Sequence, residues 1–261
     1  MSTIADITDI MYMGRKIERI MYMGRELTVP PFIRPKLVGS KKLKDGTMEA
    51  GFFGEVAQRE LIDAKTLVDM CFTNSKISSS IILNKNTTWL KFAYMNKVEY
   101  IAKQPLCDSI KLEHLSPDNL IDGSRIITID GIRYRIRLIK GKTEGKQSDT
   151  SSTKGSINHY SEWNRLILPL VINRNESNYK YPDNVEPDRL KWTGRYLEDD
   201  FSFFNDKFRF KKLSGAICQD GLNWKKVLIR GADTIESSQY MGVNQATLRA
   251  GWRPVLEVVD F

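Results

Sequence analysis

Three cysteines and two histidines are the side chains on which nucleophilic, redox or metal chemistry would have to be built. Cys71, Cys107 and Cys218 are odd in number and far apart, and none forms a CxxC pair. His114 and His159 lie 45 positions apart in sequence, with no evident acidic or thiol partner. A structural zinc site needs four ligands at short characteristic spacing, which this pattern lacks. The expectation is three buried free thiols, with no metal and no cofactor. Ser-His-Asp and Cys-His constellations, the P-loop and GxGxxG are all missing, so no catalytic residue is assigned. Glu198-Asp199-Asp200 groups three carboxylates, but without the spacing of a calcium loop it reads as a solvated acidic turn. Arg133, Arg135 and Arg137 share one face of a strand. They could bind an anion, but solvated strand arginines are the simpler reading.

The chain has 261 residues and a formal charge of +8. That charge raises the question of nucleic acid, which needs clustered Lys and Arg. Here basic and acidic residues alternate, as in Arg15-Lys16-Ile17-Glu18-Arg19, and the densest basic runs are short. Scattered charge belongs to a solvated surface, so nucleic acid is not an expected partner. No run approaches eighteen apolar residues, so no membrane span is expected. Asp6 and Asp9 stand where a secretion signal has a basic start and an apolar core, so secretion by that route is not expected.

The elements that must position these residues read as follows. Ile10-Met-Tyr-Met-Gly-Arg15 recurs as Ile20-Met-Tyr-Met-Gly-Arg25, each copy a short strand ending in a glycine turn. A small hairpin module is marginal alone in water and calls for a partner. The prolines at 30, 31 and 35 favour an extended segment, which places a module boundary after residue 35. After a turn at residues 51–54, a helix is predicted from about Ala57 to Cys71, with Leu61, Ala64, Leu67, Val68 and Cys71 on its core face. Residues 88–94 and 98–102 form one hairpin; residues 125–129 and 132–138 form another around Asp130-Gly131. Residues 140–156 hold no apolar side chain and read as a long surface loop. A second helix follows at residues 161–170, capped by Ser161, with Trp163, Leu166 and Ile167 inward. An irregular stretch leads to strands at 216–220 and 224–231. The last residues, through Gly251-Trp-Arg-Pro-Val-Leu-Glu257, form a buried closing strand.

That order, with Ser161-Glu-Trp-Asn-Arg-Leu166, Arg230-Gly231 and the closing Gly251-Trp-Arg-Pro-Val-Leu-Glu257, resembles a family of bacteriophage virion proteins. Repeats of the Tyr-x-Gly type are likewise similar to those near the ends of phage tail and virion proteins. The resemblance covers about residues 51–261. It implies an α+β C-type lectin-like domain, in the branch that includes the formylglycine-generating enzymes. Two helices would surround twisted antiparallel sheets with long irregular loops. The expected division is a β-repeat attachment module at 1–35 and the lectin-like domain at 36–261. That branch's enzyme chemistry uses paired or metal-binding cysteines near the domain's end, where Cys218 stands alone, so the activity does not carry over. What the resemblance implies is a non-enzymatic tail, baseplate or head-decoration protein, assembled in the bacterial cytoplasm as a homo-oligomer within the virion. It would dock on other virion proteins through Tyr12, Gly14, Arg15, Tyr22, Gly24 and Arg25. Tyr179, Tyr181, Trp192 and Tyr196 would present a surface to a host glycan or protein. A purely structural adaptor without receptor affinity is the alternative.

Overall fold

The structure is a computed structural model. It describes residues 11–12, 15–16, 20–22, 25–27, 37–73, 83–107, 110–141, 161–171, 192–204, 212–213, 215–223, 226–233, 235, 237–244 and 250–259. The chain divides into two compact units, Met1–Leu37 and Val38–Phe261.

In the first unit each repeat copy is its own hairpin rather than one strand of a shared one. Strands β1 (Met11–Tyr12) and β2 (Arg15–Lys16) pair antiparallel with Tyr12 opposite Arg15. Strands β3 (Ile20–Tyr22) and β4 (Arg25–Leu27) repeat the register, with Tyr22 opposite Arg25. In each hairpin the register leaves two residues between the tyrosine and the arginine. Gly14 and Gly24 themselves lie outside the described residues.

The second unit is α+β and rich in strands. Its main sheet is antiparallel throughout, in the order β5 (Asp45–Gly46), β6 (Ala50–Ala57), β7 (Thr88–Tyr94), β8 (Lys97–Ala102), β17 (Pro254–Val258), β10 (Ile132–Leu138), β9 (Asp122–Ile129). Two pairs, β7–β8 and β9–β10, are the hairpins expected from sequence. Their two-residue turns take left-handed backbone at Met95 and Asn96, and at Asp130 and Gly131. The closing strand is buried as expected, and it sits between β8 and β10 in the middle of the sheet.

A second sheet has the order β15 (Ser238–Gly242), β14 (Lys226–Arg230), β13 (Gly215–Asn223), β16 (Ala250–Gly251), with β13 and β16 parallel. Strands β11 (Phe203–Phe204) and β12 (Lys212–Leu213) make a short antiparallel pair.

Two boundaries differ from the sequence reading. Residues 51–54 are not a turn but part of β6, where the register slips between Phe52 and Gly54. Gly54 has φ of 137°, which accommodates a bulge with Phe53 as the extra residue. The bulge lets Phe52 and Phe53, adjacent in sequence, both be buried. The helix α1 then begins only at Ala64 and runs to Cys71. Asp63 caps it, accepting from the Thr66 amide at 3.0 Å and from the Thr66 hydroxyl at 2.6 Å. These bonds, led by the hydroxyl, hold the Asp63 carboxyl below its ordinary range. The predicted core face is correct: Leu61, Ala64, Leu67, Val68 and Cys71 are all buried. A short helix α2, Leu112–Leu115, was not foreseen.

The second predicted helix is a π-helical turn, Trp163–Ile167, running into a 3-10 turn, Leu168–Leu170. The Ser161 hydroxyl accepts from the Asn164 amide at 3.2 Å, as its capping role requires. Trp163, Leu166 and Ile167 are inward and join Phe52, Leu90, Phe92, Ile101, Ala216 and Val255 in the main core. Among the described residues no helix is long and apolar enough to cross a membrane.

Candidate functional site

Of the four aromatics expected on a recognition surface, Tyr179 and Tyr181 lie outside the described residues. Trp192 is inward, 5% exposed and part of the main core. Its segment is pinned to β5: the Thr193 amide donates to Asp45 Oδ1 at 3.3 Å, and Arg195 Nε to Oδ2 at 2.8 Å.

Tyr196 is half-buried, with its ring edge-on to Phe201 at 5.8 Å and to Phe52 at 6.4 Å. Lys103 Nζ stands 4.0 Å from the ring centroid. The Tyr196 hydroxyl donates to Glu55 Oε2 at 2.9 Å, and Glu55 also receives Thr88 and Lys103. Burial pushes the Glu55 carboxyl up, but the Thr88 hydrogen bond, the Lys103 charge and the Tyr196 hydrogen bond together hold it below its usual range. A ring covered by an ammonium and flanked by two other rings is a locking contact between β6 and the segment at residue 196. It leaves little open face for a sugar to stack on.

The backbones of Tyr12, Arg15, Tyr22 and Arg25 are placed in the hairpins of the first unit, with each tyrosine opposite an arginine.

The strongest electrostatic feature lies where the closing strand enters the main sheet. Arg137 of β10 was expected to be solvated with Arg133 and Arg135; Arg133 is exposed, but Arg137 is only 5% exposed. The alternation on β10 breaks there because Glu162, leading into the π-helix, and Glu99 of β8 close on Arg137, whereas β17 pairs alongside Arg135 and Arg137 alike. Arg137 Nη2 donates to Glu99 Oε2 and to Glu162 Oε1, both at 2.7 Å, and Nη1 to Glu162 Oε2 at 2.8 Å. Its Nε donates to Glu257 Oε2 at 3.1 Å. One guanidinium thus ties together β8, β10, β17 and the residue leading into the π-helix. Lys97 donates to Glu257 Oε1 at 2.7 Å, and Arg135 to the same oxygen at 3.3 Å.

Burial raises the Glu162 carboxyl, but the Arg137 charge and hydrogen bond, with hydrogen bonds from Glu99 and the Lys140 amide, hold it below its ordinary range. Glu257 is held low in the same way, against burial, by Lys97 and Arg137. Glu99 goes the other way, raised well above its ordinary range by burial and then by the Glu162 charge. Glu99 and Glu162 are sealed from solvent, so the seam can hold strands together and share protons but gives no substrate a path to them.

These four residues were missed from sequence. The available signal was an acid inside each apolar run, Val98-Glu99-Tyr100-Ile101 and Val255-Leu256-Glu257-Val258-Val259.

A second buried charge site sits behind the π-helix. Arg253 and Arg230 are 0% and 2% exposed. Arg230 Nη2 donates to Asn164 Oδ1 at 2.6 Å, and Arg253 Nη2 to the Phe201 carbonyl at 2.8 Å. The Arg253 guanidinium lies 5.3 Å from the Trp163 ring centroid. Burial brings its guanidinium down to about 9.

All three cysteines are free and buried, as expected. Burial raises the Cys71 thiol to about 12 and that of Cys218 well above its ordinary range. The native protein should therefore react with a thiol reagent at neutral pH only as fast as it opens, and release three thiols in denaturant. One fast-reacting thiol in the native state would contradict this burial. Glu198-Asp199-Asp200 is a 3-10 turn in which Glu198 Oε1 accepts from the Ile235 amide at 2.7 Å and Asp200 Oδ2 from the Leu197 amide at 2.8 Å. This acidic turn is thus bonded to backbone rather than simply solvated. Among the described residues no group of three His, Cys, Asp or Glu side chains is placed to hold a metal ion.

Compared with protein-family models, curated proteins and solved structures, the chain matches none of them.

Proposed function

We propose that this is a non-enzymatic structural protein of a tailed-phage virion. The repeated hairpins of the first unit dock on the particle, and the second unit is a C-type lectin-like body displayed from it. The observation that carries this reading is the division into a small unit of two repeated hairpins and a large sheet-cored body. Two-stranded hairpins are marginally stable alone and gain most from a surface that covers them. The resemblance of the repeat and of the closing strand to phage virion proteins supports the same assignment.

A second reading, a structural adaptor with no receptor affinity, is favoured by the inward place of Trp192 and the covered ring of Tyr196. The two are separated by testing the full chain and a chain lacking residues 1–35 against virions or purified tails, and against host envelopes. Docking through the repeats predicts that the truncated chain loses virion binding while keeping its circular dichroism and cooperative unfolding. Envelope binding by the truncated chain favours host recognition; virion binding by the full chain without envelope binding favours the adaptor. Undiminished virion binding by the truncated chain would falsify docking through the repeats.

A further inference from the structure

Glu99 differs from the other acids of the seam in the bonds its oxygens make. Its Oε2 accepts from Arg137, but Oε1 is shielded from water and accepts no N–H or O–H. Both oxygens of Glu162 are served, Oε1 by Arg137 and Oε2 by Arg137 and the Lys140 amide at 2.7 Å. Both oxygens of Glu257 are served too, by Lys97 and Arg135 on one side and Arg137 on the other.

A carboxylate oxygen shut away from water without a donor is costly. A protonated carboxyl in its place becomes a donor. Its neighbour is Glu162, whose Oε1 shares the same Nη2 of Arg137. The balance of charge leads to the same arrangement. With Glu99 neutral, Glu162 and Glu257 face Arg137, the one buried cation of the seam, while Lys97 and Arg135 stand at its rim with side chains 54% and 39% exposed. With Glu99 ionised, a third negative charge is enclosed.

We propose that Glu99 is a buried proton-binding site: it carries a proton at neutral pH, donates it to Glu162, and makes the hold on the closing strand β17 sensitive to pH. Among the described residues, the other titratable groups that bear on this cluster are Tyr94 of β7, which feels Glu99, Glu162 and Arg137, Arg165 of the π-helix, 5.7 Å from the Tyr94 ring centroid, and Cys218 of β13, which feels Glu162. Burial, and then the Glu162 charge, push the Tyr94 phenol upward, so it stays neutral while Glu99 titrates.

The folded chain binds this proton more tightly than the unfolded chain, where a glutamate titrates near 4.5. Its contribution to stability is therefore complete below that pH and is lost as pH rises through the raised native value. Across that window the folding equilibrium should weaken by about tenfold per pH unit.

The test uses the full chain and Glu99→Gln, whose amide reproduces the protonated carboxyl by accepting from Arg137 and donating to Glu162. The native wild type at neutral pH should show the infrared band of a protonated carboxyl, and Glu99→Gln should lack it. Urea unfolding from pH 5 to 9 should show wild-type stability falling with pH. The variant's curve should be flatter and should cross above the wild type at the alkaline end. Glu162→Gln, which removes a charge facing Arg137, should be the more damaging of the two.

A wild type without the band, a band that survives Glu99→Gln, or a Glu99→Gln chain that does not fold would each overturn the proposal. So would loss of the band in a well-folded Glu162→Gln chain that shows the flattened pH profile, which would put the proton on the other carboxyl.

Discussion

Arg137→Met is expected to lower the unfolding free energy by about 3–5 kcal/mol at neutral pH, with a fall in Tm of roughly 10 °C. Methionine fills most of the space but donates no hydrogen bond. Glu162 would lose its counter-charge and both guanidinium N–H groups, keeping the Lys140 amide, and Glu99 would lose the guanidinium N–H that donates to its Oε2. Glu257 would suffer least, because Lys97 and Arg135 remain. Arg137→Lys should recover little, since one ammonium cannot reach carboxyls on three sides.

The deficit should shrink as the solution is acidified. Native Glu162 and Glu257 are held below the ordinary range, so their contribution is present at neutral pH and is lost as pH falls through those lowered values. Without Arg137 that contribution is already missing, so acid has less to remove. Urea titrations at neutral and acidic pH would measure this. A variant with Arg137→Met, Glu99→Leu and Glu162→Leu should regain much of the loss, because breaking a buried ion cluster costs far more than replacing it whole. A triple variant no better than Arg137→Met would sink the account.

The seam also marks where sequence stopped being informative. Periodicity predicts which face of α1 is buried, because Ala64, Leu67, Val68 and Cys71 follow the helical repeat whatever packs on them. The β9–β10 hairpin is equally local, since Asp130-Gly131 fixes its own turn. Arg137 has no such local signature. Two residues earlier Arg135 remains partly exposed although β17 runs alongside both arginines; what sets Arg137 apart is that Glu99 and Glu162 also close on it. That is a fact about residues 25 to 120 positions away.

The start of α1 was misplaced for the opposite reason. Asp63 and Thr66 carry a readable cap, but Leu61 extends the helical spacing back past them, while the chain there is the end of β6 at Ala57 followed by a 3-10 turn at Gln58–Glu60. Of the aromatics, Trp192 and Tyr196 were legible as important side chains but not as inward ones. Burial of an aromatic depends on what folds over it, and no spacing rule records that.

Trp163→Ala is the second substitution with a large expected effect, about 3–5 kcal/mol, set by the cavity left by a fully buried indole. Trp163 does three things at once. Its ring fills the main core, its Nε1 donates to the Ile235 carbonyl at 2.9 Å, and its face lies against the Arg253 guanidinium. The Arg253 contact sits where Gly251-Trp252 hands over to β17, so the π-helix and the closing strand are joined by a cation over a ring.

Graded replacements separate the three roles. Trp163→Phe keeps an aromatic face over Arg253 but strips the Ile235 carbonyl of its donor, for a loss of about 1–3 kcal/mol beyond the change in volume. Trp163→Leu fills space without a π face and should lose a further 0.5–2 kcal/mol, roughly the worth of a desolvated cation over a ring. Crossing Trp163→Leu with Arg253→Met isolates that contact, because the coupling in the cycle counts only what the two side chains give each other. A coupling near zero would mean that Arg253 is held by its bond to the Phe201 carbonyl and its surroundings, with the ring only filling space. A coupling above about 0.5 kcal/mol would make the cation over the ring a real joint between the π-helix and the strand that closes the sheet.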